Sequence, residues 1–105
     1  MDEFTSGAKR AEKGKNYLLV PHPAILALIE VLEHGAKVYG LNNWQKGELD
    51  QTFRESNLNH ALDHIYNYVL TGGREHLLHA FCDIMFEVYF AEKTGKTWDL
   101  KEMEK

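Results

Sequence analysis

Glu30, Glu33 and Lys37 lie at i, i+3 and i+7 of the apolar-rich segment PAILALIEVLEHGAKVYG, so a helix sets two carboxylates and an ammonium along one stripe. A helix that is apolar around most of its circumference belongs in a core, where a carboxylate is costly unless a cation or hydrogen bonds compensate it. Two such carboxylates together suggest a bound metal ion. The polar loop GLNNWQKG follows at once, with one large aromatic and a lysine placed to complete a ligand pocket at the end of that helix. A third acid, Asp83, falls within FCDIMF between large apolar residues, where an unpaired carboxylate is expensive. Three acids suit an oxygen-rich site for a hard cation such as magnesium rather than a metal that seeks imidazole or thiolate. The plain alternative is that Glu30 and Glu33 lie on a solvated face, where charged residues usually sit.

The elements that must position these residues are helices. Residues 1–20 are polar and rich in Gly and Lys as far as Tyr17-Leu18-Leu19-Val20, and Pro21 and Pro23 then mark a helix start, where a missing backbone donor does least harm. The first helix is expected over Pro23–Tyr39, ended by Gly40, with Asn42, Asn43, Gly47 and Asp50 as loop residues. A second is expected over Phe53–Leu70, with Leu58, Leu62, Ile65 and Val69 as its apolar stripe and Asn57, His60, His64 and Asn67 as a polar one beside it. The turn Thr71-Gly72-Gly73 is short enough to make its helices antiparallel neighbours. The third helix, over Arg74–Lys93, has Leu77, Phe81, Ile84, Met85, Val88 and Ala91 on its apolar face and His76, His79, Asp83 and Glu87 along a second stripe. Gly95 ends it, leaving a tail over 96–105 in which Trp98 and Leu100 are expected to dock and the charges to fray. No useful β-alternation, repeat or low-complexity segment is present. The expected fold is all-α: an antiparallel bundle of three main helices over 21–95 with short terminal segments. Helices one and three are apolar on more than one side, so self-association should complete the bundle.

Composition bounds the function. A chain of 105 residues, 44% apolar, has room for one domain with a modest core. A net charge of −4 with acids and bases interspersed gives no footprint for nucleic acid and no basic face for a membrane. No apolar run approaches the roughly 20 residues of a spanning helix, and the N-terminus lacks the apolar stretch of a secretory signal, so the expected location is cytoplasmic. Cys82, without a second cysteine, is read as a small buried core residue. His60 and His64 support two readings: a satisfied interhelical network, or an i, i+4 pair binding zinc, against which stand the missing cysteines and the acid-rich first helix. A di-iron centre would require Glu-x-x-His pairs, and neither Glu30 nor Glu75 has a histidine three residues on. P-loop, Gly-x-Gly-x-x-Gly and Gly-x-Ser-x-Gly patterns are absent.

The strings VPHPAILALIEVLEHGAKVYGLNNWQKG, NHALDHIYNYVLTGG and REHLLHAFCDIMFEV resemble the phage and bacterial dATP/dGTP diphosphohydrolases, a branch of the MazG-like all-α nucleoside triphosphate pyrophosphohydrolases. The resemblance covers about residues 13–92 and is most specific in Gly35-Ala36-Lys37-x-Tyr39-Gly40-x-x-Asn43-Trp44-x-x-Gly47, with His60 and His76-x-x-His79-Ala80 in agreement. It implies an all-helical domain, assembled as a homodimer or homotetramer, that splits a deoxynucleoside triphosphate into monophosphate and pyrophosphate with Mg2+ or Mn2+. It also implies a purine preference. By the superfamily's Glu-x-x-Glu pattern, Glu30 and Glu33 would be metal ligands. Asp83 would match the aspartate of its Glu-x-x-Asp pattern, whose glutamate is here Ala80, so that His79 or Glu87 would have to substitute. The branch's Pro-Pro-Glu is here Pro21-His22-Pro23.

Hydrolysis between the α- and β-phosphates requires charge neutralisation and an in-line water, tasks that suit metal ions held by Glu30, Glu33 and Asp83. Glu33 and Lys37 would be the catalytic pair. Lys37, with Lys46 or Arg54, would neutralise the triphosphate, Asn43 and Trp44 would hydrogen-bond and stack on the base, and His60 would join them by the resemblance. Trp44 as a loop anchor and Lys37 as a solvated charge are the plain alternatives. Two rivals from other classes stand beside this reading. One is a catalytically silent helical scaffold or nucleotide-binding protein, suggested by Ala80. The other is a histidine-based metal phosphohydrolase, weakened because the chain has Asp63-His64 in place of an adjacent His-Asp pair.

Overall fold

Asp50 opens the central helix: its side chain accepts a hydrogen bond from the Phe53 amide at 3.1 Å, capping a helix that starts at Gln51, two residues before the expected Phe53. The structure, a computed structural model, describes residues 2–11 and 14–99. A two-stranded antiparallel ribbon, β1 (Asp2–Glu3) and β2 (Lys9–Arg10), precedes α1 (His22–Tyr39), α2 (Gln51–Thr71) and α3 (Arg74–Thr94). Single 3-10 turns occupy Tyr17–Leu19 and Asn43–Gly47. The three long helices are those expected, extended at one or both ends by a residue or two, and the ribbon is an element that the sequence pattern did not suggest. Leu100 lies outside the described residues, while Trp98 is half-buried. Among the described residues no helix is long and apolar enough to cross a membrane.

Gly72 caps α2 in the left-handed conformation, φ 73°, which a side chain rarely adopts, and so reverses the chain directly into α3. The pairing is antiparallel: Arg54 meets Glu87 at one end and His64 meets His76 at the other. Along α1 the order is reversed. Glu30 pairs with Arg74, and Trp44, just past the end of α1, stacks on Phe86, so α1 and α3 run in the same direction and the three helices go up, down and up.

The way α2 and α3 face each other differs from the expected stripes. Arg54 and Ala61 are buried with Asn57 and His64 half-buried between and beyond them, whereas Leu62, Ile65 and Val69 are exposed, Val69 to 73%. On α3 the buried residues are Ala80, Cys82 and Phe90, and Leu77, Ile84 and Val88 of the expected apolar face are turned largely to solvent. Arg54 accounts for this rotation. Its guanidinium, 1% exposed, donates from Nε and Nη2 to the two oxygens of Glu87 at 2.8 and 2.7 Å, and Nη2 also donates to the Lys96 carbonyl at 2.9 Å. A bidentate pair of this kind fixes the helix face by geometry, and the apolar stripe follows wherever the pair turns it. Cys82 is buried as expected, and burial pushes its thiol up to about 11.

The chain retains 8445 Å² of accessible surface, against about 6,000 Å² typical of a folded monomer of this mass. Exposed Leu18, Leu19, Tyr39, Leu62, Val69 and Leu70 contribute to that surplus.

Truncating one partner of a buried ion pair leaves the other charge uncompensated, at about 3–5 kcal/mol. Arg54→Ala is expected to lower stability by about that amount, and Arg54→Ala with Glu87→Leu to recover a good part of it. Denaturant unfolding of the single and double variants checks this; equal losses in both would show that the pair holds nothing in place.

Candidate active-site cavity

A cavity of about 620 Å³ opens between the C-terminal half of α1, the loop after it, and the facing sides of α2 and α3. Its apolar wall is made by Val38 and Tyr39 of α1, Trp44 of the loop, Phe53 of α2 and Phe86 of α3. Trp44 is fixed there by its own packing: the indole stacks on Phe86 at 4.3 Å between centroids and meets Tyr89 edge-on at 5.0 Å. The loop lies close against α2, since a Cβ at Gly47 would overlap the Phe53 ring. The loop-anchor reading of Trp44 thus describes its contacts, with one face of the ring covered by Phe86 and the residue still lining the cavity.

The polar residues of this wall are a minority, as is usual for a ligand cavity. Glu33, His34, Asn42, Asn43, Asn57, His79 and Asp83 supply them. The structure therefore brings Glu33, His79 and Asp83 of the expected ligand set to one cavity, with Asn43 and Trp44 of the expected substrate contacts. Glu30 is not among them. It is exposed and its carboxylate meets Arg74 at 3.3 Å, a solvated pair worth little. Lys37 and Lys46 are also exposed and lie outside the cavity wall. Arg54 and Glu87 are placed elsewhere than expected: the guanidinium is buried against both Glu87 oxygens and the Lys96 carbonyl, and neither residue lines the cavity.

The histidines form a ladder. His64 Nδ1 and His76 Nδ1 are 3.1 Å apart, and the His64 ring lies 5.2 Å from His79 and 6.5 Å from His60. Burial first, then the charges that His79 and His76 would carry, holds His64 below the usual imidazole range, with Asp63 opposing. The interhelical network is what the sequence offered as the plainer of two readings. Among the described residues no group of three or more His, Cys, Asp or Glu side chains is arranged to hold a metal ion. An open site is a different matter. Magnesium is ordinarily held by one or two carboxylates, the other positions going to water and substrate phosphates, and Glu33 of α1 and Asp83 of α3, which both line the cavity, are carboxylates of that type.

Asp83 is the most perturbed acid of the site. Burial raises its carboxyl to about 6, with His60 pulling the other way. Asn57, which the sequence places on the polar stripe of α2 without a role in the site, also lines the cavity. Its Nδ2 is buried and has no hydrogen-bond partner. The signal was available, since Asn57 lies three residues after Arg54 and four before Ala61, on one face of α2.

A raised carboxyl pKa favours the protonated form in the fold, so Asp83's contribution is fully present below its ordinary value of 3.8 and is lost as pH rises through about 6. Asp83→Asn is expected to melt above the parent protein at about pH 8 and level with it near about pH 4. Melting curves across that range check it; a difference that stays constant with pH would place the effect elsewhere than in ionisation.

No curated protein and no solved structure matches the chain. A family model does, that of the N-terminal region of dATP/dGTP diphosphohydrolases, and it is matched over residues 5–100, spanning the loop, the cavity and all three helices. With nearly the whole sequence covered, the chain belongs to the dATP/dGTP diphosphohydrolase N-terminal family.

Proposed function

We propose that the protein is a divalent-metal-dependent deoxynucleoside triphosphate pyrophosphohydrolase, acting on purine substrates and releasing the monophosphate and pyrophosphate. The observation that carries this reading is the meeting of Glu33 and a burial-perturbed Asp83 with an aromatic-walled cavity in a chain of this family. Family membership supports a nucleotide substrate. The apolar wall of Tyr39, Trp44 and Phe86 suits a base, and the carboxylates suit the phosphate end.

Glu33 and Asp83 would hold Mg2+ or Mn2+, which when bound would supply charge neutralisation at the phosphates and a more acidic water. A cation beside Asp83 would favour its ionised form, reversing the effect of burial. Lys37, one turn beyond Glu33 on α1 and exposed, would place its ammonium on the phosphate oxygens as they gain charge. Lys46 would do the same from the loop. The wall formed by Trp44 and Phe86 would keep bulk water from the base and fix the nucleotide's position along the cavity.

The working form is a homo-oligomer. Each chain seals a seam of polar groups, Arg54–Glu87 and the histidine ladder, and leaves Leu62, Val69 and Leu70 of α2 and Val88 of α3 outward. A second copy would cover those faces in the manner of an obligate interface.

Incubation with each nucleoside triphosphate and Mg2+ or Mn2+, followed by separation of products, is expected to give dAMP or dGMP with pyrophosphate. Release of orthophosphate, or no turnover with any nucleotide, would overturn the assignment. Glu33→Gln is expected to lose turnover while keeping the helical circular dichroism of the parent; full activity in that variant would remove Glu33 from the site. Light scattering of the active protein at micromolar concentration should give at least a dimer mass, lowered by Val69→Lys with Leu70→Lys, and a sharp monomer mass in active protein would refute the assembly.

A further inference from the structure

His60 and His64 of α2 meet His76 and His79 of α3 near the turn end of the hairpin. At the centre of this cluster His64 Nδ1 and His76 Nδ1 face each other across the two helices at 3.1 Å, and both rings are half-buried, each keeping some surface in solvent. Two ring nitrogens at that distance share one proton, one donating and the other accepting. Glu75 bears on which. Its Oε1 lies 3.9 Å from His76 Nε2, too far for a hydrogen bond but near enough for its charge to favour the proton there, which leaves His76 Nδ1 with a free lone pair. His64 Nδ1 is then the donor, and a single proton stands between two nitrogens that are otherwise both ligands.

A cation that prefers imidazole can take that proton's place, and the spacing fits one. With metal–nitrogen bonds of about 2.0–2.1 Å, two ligands lie about 3.3–3.4 Å apart at the tetrahedral angle and about 2.8–3.0 Å apart at a right angle. The observed 3.1 Å falls between the two. We propose that His64 and His76 chelate a borderline first-row dication, of the zinc and nickel class, through their Nδ1 atoms across the α2–α3 hairpin. The site is separate from the Glu33 and Asp83 carboxylates, whose oxygens suit a hard cation, and it does not rest on the hydrolytic reading. On binding, the shared proton passes from His64 Nδ1 to Nε2 of the same ring, so both rings stay neutral and both Nδ1 lone pairs go to the ion. Among the described residues no third His, Cys, Asp or Glu is arranged to join them, so water fills the remaining positions and the ion is exchangeable. The Arg54–Glu87 pair ties one end of the hairpin, and the ion ties the other, beside the Gly72 turn.

The test is competition for Zn2+ and Ni2+ between the full chain, free of any histidine tag, and a chromophoric chelator, in excess Mg2+. The parent protein is expected to take one ion of either metal per chain at this site, undisplaced by Mg2+, and to melt at a higher temperature when loaded. Loss of an outer-shell partner alone costs about 10–100-fold in metal affinity, so His64→Gln and His76→Gln, each removing a ligand, should weaken binding by about tenfold or more and abolish the rise in melting temperature. His60→Gln, Glu33→Gln and Asp83→Asn should bind as the parent does. A readout that needs no variant is electron paramagnetic resonance of the Cu2+-loaded parent, in which two imidazole nitrogens are expected and one or none would overturn the proposal. Loss of binding in His60→Gln with retention in His76→Gln would move the ion to the i, i+4 pair of α2. Loss in Glu33→Gln or Asp83→Asn would place it in the cavity, and binding no tighter than that of Mg2+ would leave the contact a hydrogen bond alone; each of these overturns the interhelical chelate.

Discussion

The ion pair between Arg54 and Glu87 sets the rest of the structure. It ties α2 to α3 through two short hydrogen bonds and, through the Lys96 carbonyl, ties both to the chain leaving α3. Burying a guanidinium is expensive, and a buried pair adds little net stability over an apolar one of the same shape. What it adds is rotational register, because the planar fork of an arginine meets a carboxylate in few orientations. With Arg54 turned inward, Asn57, Ala61 and His64 follow at helical spacing, and with Glu87 turned inward, Ala80, Asp83 and His76 do the same from the other side. Phe90 seals the end of the seam, fully buried, with the Arg54 guanidinium 5.7 Å from its ring.

A polar seam between two helices leaves less apolar contact for the third. α1 buries only Leu28, and it is the loop beyond it that grips the hairpin, through Trp44 on Phe86. Held at that end, α1 stands off α3 enough to leave the cavity, whose polar wall is then the outward continuation of the same seam: Asn57 from α2, His79 and Asp83 from α3. The perturbed Asp83 and the unpaired Asn57 are thus consequences of one register and not separate accidents of packing.

The helices were legible in the sequence because their ends are written in local chemistry: Pro21 and Pro23, Gly40, Asp50, Gly72 and Gly95 each act within a turn of their own position. The carboxylates and aromatics of the cavity were legible by type. What could not be read was which face of α2 turns inward. Hydrophobic periodicity assigns Leu58, Leu62, Ile65 and Val69 to the core, and of these only Leu58 is even half-buried. The long-range partner that decides it, Glu87, lies 33 residues away, and no local rule names it. The same ignorance put Arg54 among the expected substrate contacts and gave Asn57 no role. Glu30 and Glu33 share a stripe in sequence yet part in surroundings, since Arg74 meets one and the other lines the cavity.

A periodic apolar stripe that misses the core of its own chain still has to be explained by the physics that makes such stripes. Leu62, Ile65 and Val69 on α2, and Leu77, Ile84 and Val88 on α3, recur at helical spacing and are exposed in the single chain. Scattered exposed leucines need no cause, whereas an ordered stripe on two adjacent helices is the kind of surface the proposed assembly would cover. On the proposed assembly the two faces divide the labour that one face cannot perform. The polar seam fixes register and provides the groups for the site, at little gain in stability, and the apolar outside provides the burial that a chain of this size needs. Stability and chemistry are then placed on opposite sides of the same hairpin, which lets it keep an unpaired amide and a half-buried acid without the fold depending on either.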